Sequence, residues 1–268
     1  MIAIDNRAKT LTKGEHISMP ATIIECPPIK VIAINFYHVD PAASHLISTV
    51  FSEESMKDKD LNRTIPLPKK TRKIEDVKDW DDIRVLICTQ PKNTGIGTKK
   101  PIIAEVALGG SKEEKLKYAT EKLGKEVMIN DVFKDGSYVD IHGISKGKGF
   151  QGPVKRHGVM LRHHKSEKAR RANVRGPWTG PKMWTVPHSG RMGHHQRIEY
   201  NKLVLKVGKT GEIQSPGGLP QYGQVKNSYL LIYGSLPGPR KGIVTLTQPI
   251  RLTTIPFKEA PHIKSVVL

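Results

Sequence analysis

Residues 137–152 read SYVDIHGISKGKGFQG, a short apolar run followed by alternating glycines and lysines. The first half, Ser137 to Ile144, is rich in β-branched and aromatic residues, which predicts a strand. The second half has no periodic apolar pattern, and its glycines suit a backbone that approaches another molecule closely. A strand of the core therefore leads into a segment of a different kind.

Positive charge is concentrated in that segment, which extends from residue 143 to residue 197. It contains 13 Lys and Arg and one acid, Glu167, whereas the rest of the chain contains 31 basic and 24 acidic groups. The whole chain has a net charge of +19, which predicts a polyanionic partner. Because the segment is rich in Gly and Pro and lacks helical or strand periodicity, we expect a long irregular basic extension ordered by nucleic acid.

The flanking sequence resembles ordinary folded protein built from short strands. Turn residues separate most of the apolar runs, which favours an antiparallel β-barrel of the kind that many short strands form. The predicted strands are Ile17 to Cys26, Lys30 to Tyr37, Arg84 to Thr89, Ser137 to Ile144, Ile198 to Val207, Ser228 to Tyr233 and Gly242 to Thr247.

Residues 40–126 have a more helical and acidic character. Ser111 and Glu114 form the pattern of a capping box, followed by Leu116, Ala119 and Leu123 on one helical face and Gly124 at the expected end. The spacing of Ile74, Val77, Trp80 and Ile83 predicts another short helix or turn. The predicted fold class is mainly β with an α+β insertion. Its segments are 1–39 (first barrel segment), 40–126 (helical and acidic insertion with some strands), 127–142 (second barrel segment), 143–197 (basic RNA-binding extension) and 198–268 (third barrel segment).

A membrane surface is the competing polyanion, but the apolar runs are strand-sized and far too short to cross a bilayer. The N-terminus lacks the layout of a signal peptide. Cys26 and Cys88 both lie in apolar, strand-like runs, which predicts two buried thiols in a reducing cytoplasm. Nucleic acid is therefore the favoured partner.

The run Gly147 to Gly152 matches the letters of a dinucleotide-binding GxGxxG motif. That motif requires a following helix and an acidic residue about 20 positions further on. We expect no helix after Gly152, and position 172 is Ala. The glycines and the cations beside them are better explained by contact with a phosphate chain.

Six histidines in the segment raise the question of a metal site or of catalysis. No Cys or carboxylate cluster lies at ligand spacing, and Glu167 alone provides no carboxylate pair or triad partner. No metal, cofactor or catalytic residue is predicted, and His194 and His195, followed by Gln196 and Arg197, suit hydrogen bonding and stacking on RNA.

Two tryptophans have different surroundings. Trp178 lies in a turn-rich stretch without apolar neighbours, which favours stacking against RNA bases. For Trp184, beside Met183 and Val186, packing on the protein itself and contact with RNA both remain open. The run from Lys165 to Arg171 could form a short basic helix. Its charges are interpreted as phosphate-neutralising, with a solvated charge run as the alternative.

Two runs carry a resemblance to a known family. Asp140 to Gly152 and His188 to His195 resemble the signature of the large-subunit ribosomal protein three family. The likeness continues through Pro216 to Gly218 and Pro237 to Lys241, and the insertion at 40–126 resembles the archaeal and eukaryotic branch.

The resemblance implies a translation-factor-like barrel and an extension that reaches toward the peptidyl transferase centre with Trp178 at its tip. It also implies a non-enzymatic protein in the cytoplasmic ribosome that acts early in subunit assembly. The implied partners are large-subunit rRNA and neighbouring large-subunit ribosomal proteins, with no membrane and no small-molecule substrate. The predicted RNA-binding residues are Lys146, Lys148, Gly149, Phe150, Gln151, Lys155, Arg156, His157, Arg162, His163, Lys165, Arg170, Arg171, Arg175, Trp178, Lys182, Trp184, His188, Arg191, His194, His195 and Arg197.

The N-terminus departs from the family pattern. Relatives usually begin with a basic arm and a strand before the position of Ile2, so we expect either a missing arm or a start placed too late. A missing arm would leave a sheet edge open near Ile2.

Two other functions remain open at this stage. An RNA-processing enzyme would use histidines and lysines of the basic segment, and a free-standing RNA chaperone would occur away from ribosomes.

Overall fold

A computed structural model describes residues 1–7, 10–77, 79–165, 184–213, 216–252, 257 and 259–267. Strands dominate these regions of the chain, which confirms the mainly β prediction. The strands are β1 Ile2–Ile4, β2 His16–Ser18, β3 Ala21–Glu25, β4 Ile29–Val39, β5 Ser44–Phe51, β6 Asp82–Cys88, β7 Ile103–Ala107, β8 Glu126–Val127, β9 Tyr138–Ile144, β10 Phe150–Gln151, β11 Gly190–Arg191, β12 Gln196–Gly208, β13 Tyr229–Tyr233, β14 Val244–Thr247 and β15 Ile263–Ser265. The α-helices are α1 Glu53–Met56, α2 Lys112–Lys122 and α3 Pro153–His157.

The described chain divides into two compact units. Unit 1 comprises 1–138, 202–235 and 253–268, and unit 2 comprises 139–201 and 236–252. Each unit is described separately below.

The larger sheet of unit 1 has the order β5-β4-β6-β7, with β8 also paired to β4. Strand β4 is central, and from Val31 to Phe36 every residue is buried because both of its faces are covered. On one face Ile34 and Phe36 pack with Ala119 of α2. On the other face Ala33 packs with Leu61.

Helix α2 confirms the capping prediction. The Ser111 side chain accepts a hydrogen bond from the Glu114 amide, and the Glu114 carboxylate accepts one from the Ser111 amide at 2.9 Å. Leu116, Ala119 and Leu123 all belong to the core cluster beneath the helix. The second predicted short helix is a single 3-10 turn at Ile74–Asp76, and Ile83 belongs to β6. Residues 40–126 contain strands β5, β6 and β7, so they have more strand than the predicted helical character indicated.

A second core of unit 1 lies where β12, β13 and β3 pair. Strand β13 pairs with both β12 and β3, and Leu205, Tyr229 and Leu231 are buried there. In a separate three-stranded sheet, β1 pairs with β2 on one side and with β15 on the other. The expectation of an open sheet edge at Ile2 is therefore wrong, since a strand near the other end of the sequence covers that edge.

The two cysteines differ in exposure. Cys88 is buried at the end of β6, as predicted, whereas Cys26 directly follows β3 and is half-buried. Desolvation raises the pKa of Cys26 to about 12 and the pKa of Cys88 to about 11. Both thiols are therefore protonated near neutral pH.

Unit 2 is built on the pairing of β9 with β14. Val139, Asp140 and Ile141 of β9 are completely buried. The chain leaves β9 at Ile144, passes through β10, α3 and β11, and returns along the beginning of β12. The first residues of the basic segment, Gly143 and Ile144, are thus the last two residues of β9.

No helix among the described residues combines the length and the apolar composition needed to cross a membrane.

Candidate RNA interface

Two arms of unit 2, residues 143–152 and 188–197, are joined by main-chain hydrogen bonds. Strand β10 pairs with β11, with Phe150 opposite Arg191 and Gln151 opposite Gly190. Next to this pair, the Lys148 amide donates to the Met192 carbonyl at 2.8 Å, and the Met192 amide donates to the Gly149 carbonyl at 2.9 Å. The backbone of the two signature runs therefore forms one ordered element, called the two-arm element below.

The base of the two-arm element is held by Ser145. Its amide donates to the His195 carbonyl at 2.9 Å, and its carbonyl accepts from the His194 amide at 3.2 Å. The Ser145 hydroxyl also accepts from the His195 amide at 3.2 Å. Because His194 has a φ of +54°, the chain turns sharply here, and the next residue, His195, is half-buried.

The glycines of the two-arm element have two separate roles. Gly193 has a φ of +77°, and a Cβ there would lie 1.9 Å from the Lys146 carbonyl oxygen, so only glycine allows the arms to approach. Gly149 also has a positive φ, but nothing lies within 4 Å of the position of its Cβ, and the same space is open at Gly152. Gly149 and Gly152 therefore leave backbone accessible from outside.

The expectation that no helix follows Gly152 is wrong. Helix α3 begins at Pro153 and ends before Gly158, which has a φ of +65°. A five-residue helix is too short to show an apolar period, but proline at its first position and glycine after its last are the ordinary signals of such a turn. Its last turn carries Lys155, Arg156 and His157. Position 172, where the dinucleotide motif requires an acid, is Ala, so the motif is incomplete even with a helix after Gly152.

Eight of the 13 cations of the basic segment lie among its described residues. Lys146, Lys148, Lys155, Arg191 and Arg197 are exposed, and within the described residues none of these five side chains forms an ion pair with a carboxylate. Lys165 is exposed as well, and Arg162 is half-buried. Most of these charges are therefore available to an external anion.

Arg156 has a structural role within the element. Its guanidinium donates to the His188 carbonyl at 3.1 Å, and a Cβ at Gly190 would lie 2.7 Å from the same group. The side chain thus connects α3 to the second arm. Gln151 also bonds within its own arm, since its amide donates to the Lys148 carbonyl at 2.6 Å.

Two large aromatic side chains are exposed. Phe150 is 75% exposed and lies directly opposite Arg191 on the β10–β11 pair, so an aromatic ring and a guanidinium share one face. Trp184 is 90% exposed, which rules against its packing on the protein itself. Neither side chain contributes to a core, and both present rings to the surroundings.

The histidines do not form a metal centre in the stretch of the segment that is described. The rings of His163 and His164 lie 4.3 Å apart at 44°, and His163 Nδ1 accepts from the Lys165 amide at 3.4 Å. Throughout the described residues, no group of three or more His, Cys, Asp or Glu side chains is arranged to hold an ion. Five other predicted site residues lie outside the described residues: Arg170, Arg171, Arg175, Trp178 and Lys182.

Asp140 lies in β9 before the first arm and was not predicted to have a structural role. Its buried carboxylate accepts from the Asn201 amide at 2.8 Å and from the Ile250 amide at 3.1 Å. The Asn201 side chain donates in turn to the Arg251 carbonyl at 2.7 Å, and Asn201 has a φ of +53°. An acid inside an apolar strand, as in Val139-Asp140-Ile141, is the sequence signal for such a buried anchor.

Comparison with known proteins identifies the family. The family model described as Ribosomal protein L3 matches residues 1–264. The chain is 41% identical over 262 residues to the large ribosomal subunit protein uL3 of Archaeoglobus fulgidus, covering 94% of this chain and 78% of that protein. It is 43% identical to the protein of the same name from Methanosphaera stadtmanae, covering 93% of this chain and 78% of the relative. The chain belongs to the ribosomal protein L3 family.

Membership of the ribosomal protein L3 family confirms two predictions from the sequence. The resemblance carried by Asp140 to Gly152 and His188 to His195 is correct, and the match extends over both units. The family consists of ribosomal proteins, so the prediction that this protein is not an enzyme is also confirmed. The two signature runs are the two arms that the hydrogen bonds of unit 2 join.

Proposed function

We propose that this protein is a structural constituent of the large ribosomal subunit that binds large-subunit rRNA directly through residues 143–197. The observation that carries this proposal is the ordered two-arm element with its exposed, carboxylate-free cations. The relatives' printed name, large ribosomal subunit protein uL3, supports the same assignment. Cations on an ordered backbone suit a folded polyanion better than a flexible polyanion, because two ordered partners lose less conformational entropy on binding.

The binding mechanism that we propose combines phosphate contacts with base stacking. Lys146, Lys148, Lys155 and Arg191 neutralise phosphates, which provides affinity and makes it depend on salt. Phe150 and Trp184 stack on unpaired bases, and each stack contributes about 1–3 kcal/mol. Arg156 acts indirectly, since its guanidinium holds the second arm. We propose that the other RNA-binding residues predicted from the sequence contact the same RNA.

The finer architecture also belongs to the proposal. The strands of 1–39, 127–142 and 198–268 would complete a translation-factor-like barrel, and 40–126 would be an insertion in it. Residues 143–197 would extend toward the peptidyl transferase centre with Trp178 at the tip, where RNA performs the chemistry. The protein would act early in subunit assembly, beside neighbouring large-subunit proteins of the cytoplasmic ribosome, without a cofactor, membrane or small-molecule substrate.

Salt-dependent binding of the full chain to large-subunit rRNA tests this proposal. The probe is the in vitro transcribed large-subunit rRNA of Archaeoglobus fulgidus. Replacing Lys148 and Arg191 by Gln should lower the slope of log affinity against log salt by about 2, one for each lost phosphate contact. Phe150→Ala should weaken binding at every salt concentration and leave the slope unchanged, since stacking releases no counterions.

The matched control is the pair Lys117→Gln and Lys122→Gln on α2 of unit 1, which removes the same charge elsewhere. We expect this variant to bind nearly as tightly as the unmodified chain. Equal weakening by the control and by the Lys148 and Arg191 variant would mean that only net charge matters, and the proposal would fail.

A further inference from the structure

A second concentration of positive charge lies in unit 1, in residues 57–73, called the basic loop below. This stretch contains seven Lys and Arg against two acids, whereas the rest of 40–126 contains ten Lys and Arg against thirteen acids. The insertion is therefore acidic apart from this one stretch. A charge excess confined to 17 consecutive residues of an otherwise acidic region points to a local partner rather than to solubility.

Most cations of the basic loop are unpaired. Arg63 forms an ion pair with Asp60 at 3.1 Å. The other six are exposed, and none of them is within salt-bridge distance of a carboxylate in the described chain: Lys57, Lys59, Lys69, Lys70, Arg72 and Lys73. Such a set of like charges is unfavourable without a counter-charge, because neighbouring ammonium groups repel each other.

The backbone that presents these cations is held in place. Ile65 and Leu67 pack into the core cluster around Leu61, and the Phe51 amide of β5 donates to the Thr71 hydroxyl at 3.1 Å. Pro66 and Pro68 further restrict the chain between these contacts. The loop therefore has an ordered path along the sheet, and its lysines extend from fixed backbone positions.

Four of the lysines surround one open concavity of about 790 Å³. Lys57, Lys59, Lys69 and Lys70 all line it, together with Asn62. Glu53 and Asp58 also line it, and one oxygen of Asp58 is occupied by the Asp60 amide at 2.9 Å. The lining contains no aromatic ring, so the concavity offers charge and hydrogen-bond donors but no stacking surface.

We infer that the basic loop is a second RNA-binding surface, which holds the phosphate backbone of a folded RNA independently of its bases. This inference rests on the proposed function, because that function provides the polyanion. Phosphates fit the site because ammonium groups bind them as point charges, and the lining offers no aromatic ring on which unpaired bases could stack. RNA is favoured over an acidic protein because the cations continue beyond the concavity to Arg72 and Lys73, as an extended phosphate chain requires.

The test compares two double variants of the full chain in binding to Archaeoglobus fulgidus large-subunit rRNA. One carries Lys69→Gln and Lys70→Gln, and its control carries Lys117→Gln and Lys122→Gln. Both remove two charges from unit 1. The loop packs through Leu67 against the face of the sheet that contains Ala33, while α2 packs against the face that contains Ile34. Adjacent strand residues point to opposite faces, so the control lies on the far side of the sheet.

We expect the loop variant to lower the salt slope by about 2 and the affinity by about tenfold at 0.1 M salt, with thermal unfolding unchanged. The control should leave slope and affinity close to those of the unmodified chain. Indistinguishable behaviour of the two variants would overturn the inference, because the loop would then be solvated charge.

The same measurements separate the two proposals. If the unmodified chain binds and the Lys148 and Arg191 variant is impaired while the loop variant matches its control, the proposed function stands and the second surface is refuted. If the loop variant binds RNA normally but loses binding to polyglutamate, the surface belongs to an acidic protein and the inference is again wrong. Absence of salt-dependent RNA binding by the unmodified chain would refute the proposed function itself.

Discussion

Substitution of Gly193 by Ala should open the two-arm element while leaving unit 1 folded. An Ala at a φ of +77° is strained by about 1–2 kcal/mol. Its Cβ would also lie 1.9 Å from the Lys146 carbonyl oxygen and 3.2 Å from the Lys148 nitrogen, so the arms must separate by more than an ångström. Separation would break the two hydrogen bonds that join Lys148, Gly149 and Met192, each contributing about 0.5–1.5 kcal/mol.

The total local cost is therefore about 2–5 kcal/mol, which native-state hydrogen exchange can measure at the Lys148 and Met192 amides. A cost of that size should accelerate their exchange by roughly 30-fold or more, since each 1.4 kcal/mol is a factor of about ten. Amides of β4 in unit 1 should exchange at unchanged rates.

Two neighbouring glycines provide matched controls. Gly149 shares the positive φ but has open space around it, so Gly149→Ala should show the strain alone, with exchange about tenfold faster. Gly147 has no positive φ, and its Cβ would have ordinary contact with His194 at 3.7 Å, so Gly147→Ala should change little. Equal exchange rates in all three variants would refute the explanation based on close approach of the arms.

Two further predictions concern Asp140 and the two cysteines. The two carboxylate oxygens of Asp140 accept from the Asn201 and Ile250 amides, and Asp140→Asn replaces one of them by an NH₂ group, which leaves a buried donor unpaired. We expect the unfolding free energy, measured by denaturant titration, to fall by about 1–3 kcal/mol. An unchanged unfolding free energy would mean that the carboxylate is not the anchor. Desolvation raises the pKa of Cys26 to about 12 and that of Cys88 to about 11, so alkylation of the native chain should be slow at neutral pH and increase about tenfold per pH unit up to those values. A rate that levels off near pH 9 would contradict the raised pKa of both thiols.

Local patterns in the sequence were sufficient for the elements whose determinants are close together. The capping box at Ser111 and Glu114 and the strand at 138–144 both depend on neighbouring residues, and both were predicted with nearly the right bounds. The prediction of an open sheet edge at Ile2 was wrong because its determinant is distant in sequence: β15, near the other end of the sequence, pairs with β1. No local pattern reveals such a pairing.

The candidate site was predictable in composition but not in role. Charge counting identified the basic segment, in which Lys146, Lys148 and Arg191 are exposed. Arg156 looked like its neighbours in sequence, yet its guanidinium bonds to the His188 carbonyl 32 positions away. Helix α3 was missed because a five-residue helix has no period, and its signals were Pro153 and Gly158 rather than apolar spacing.

We propose that residues 143–197 bind large-subunit rRNA inside the ribosome. The most direct test is ultraviolet crosslinking in native ribosomes that have been sedimented, followed by mass spectrometry of peptides from this segment. We predict crosslinks from the Gly147 to Gly152 run, from Trp178 and from Trp184 to large-subunit rRNA, with one copy of the protein per large subunit. A chain that sediments only in light fractions and forms no such crosslinks would contradict the account.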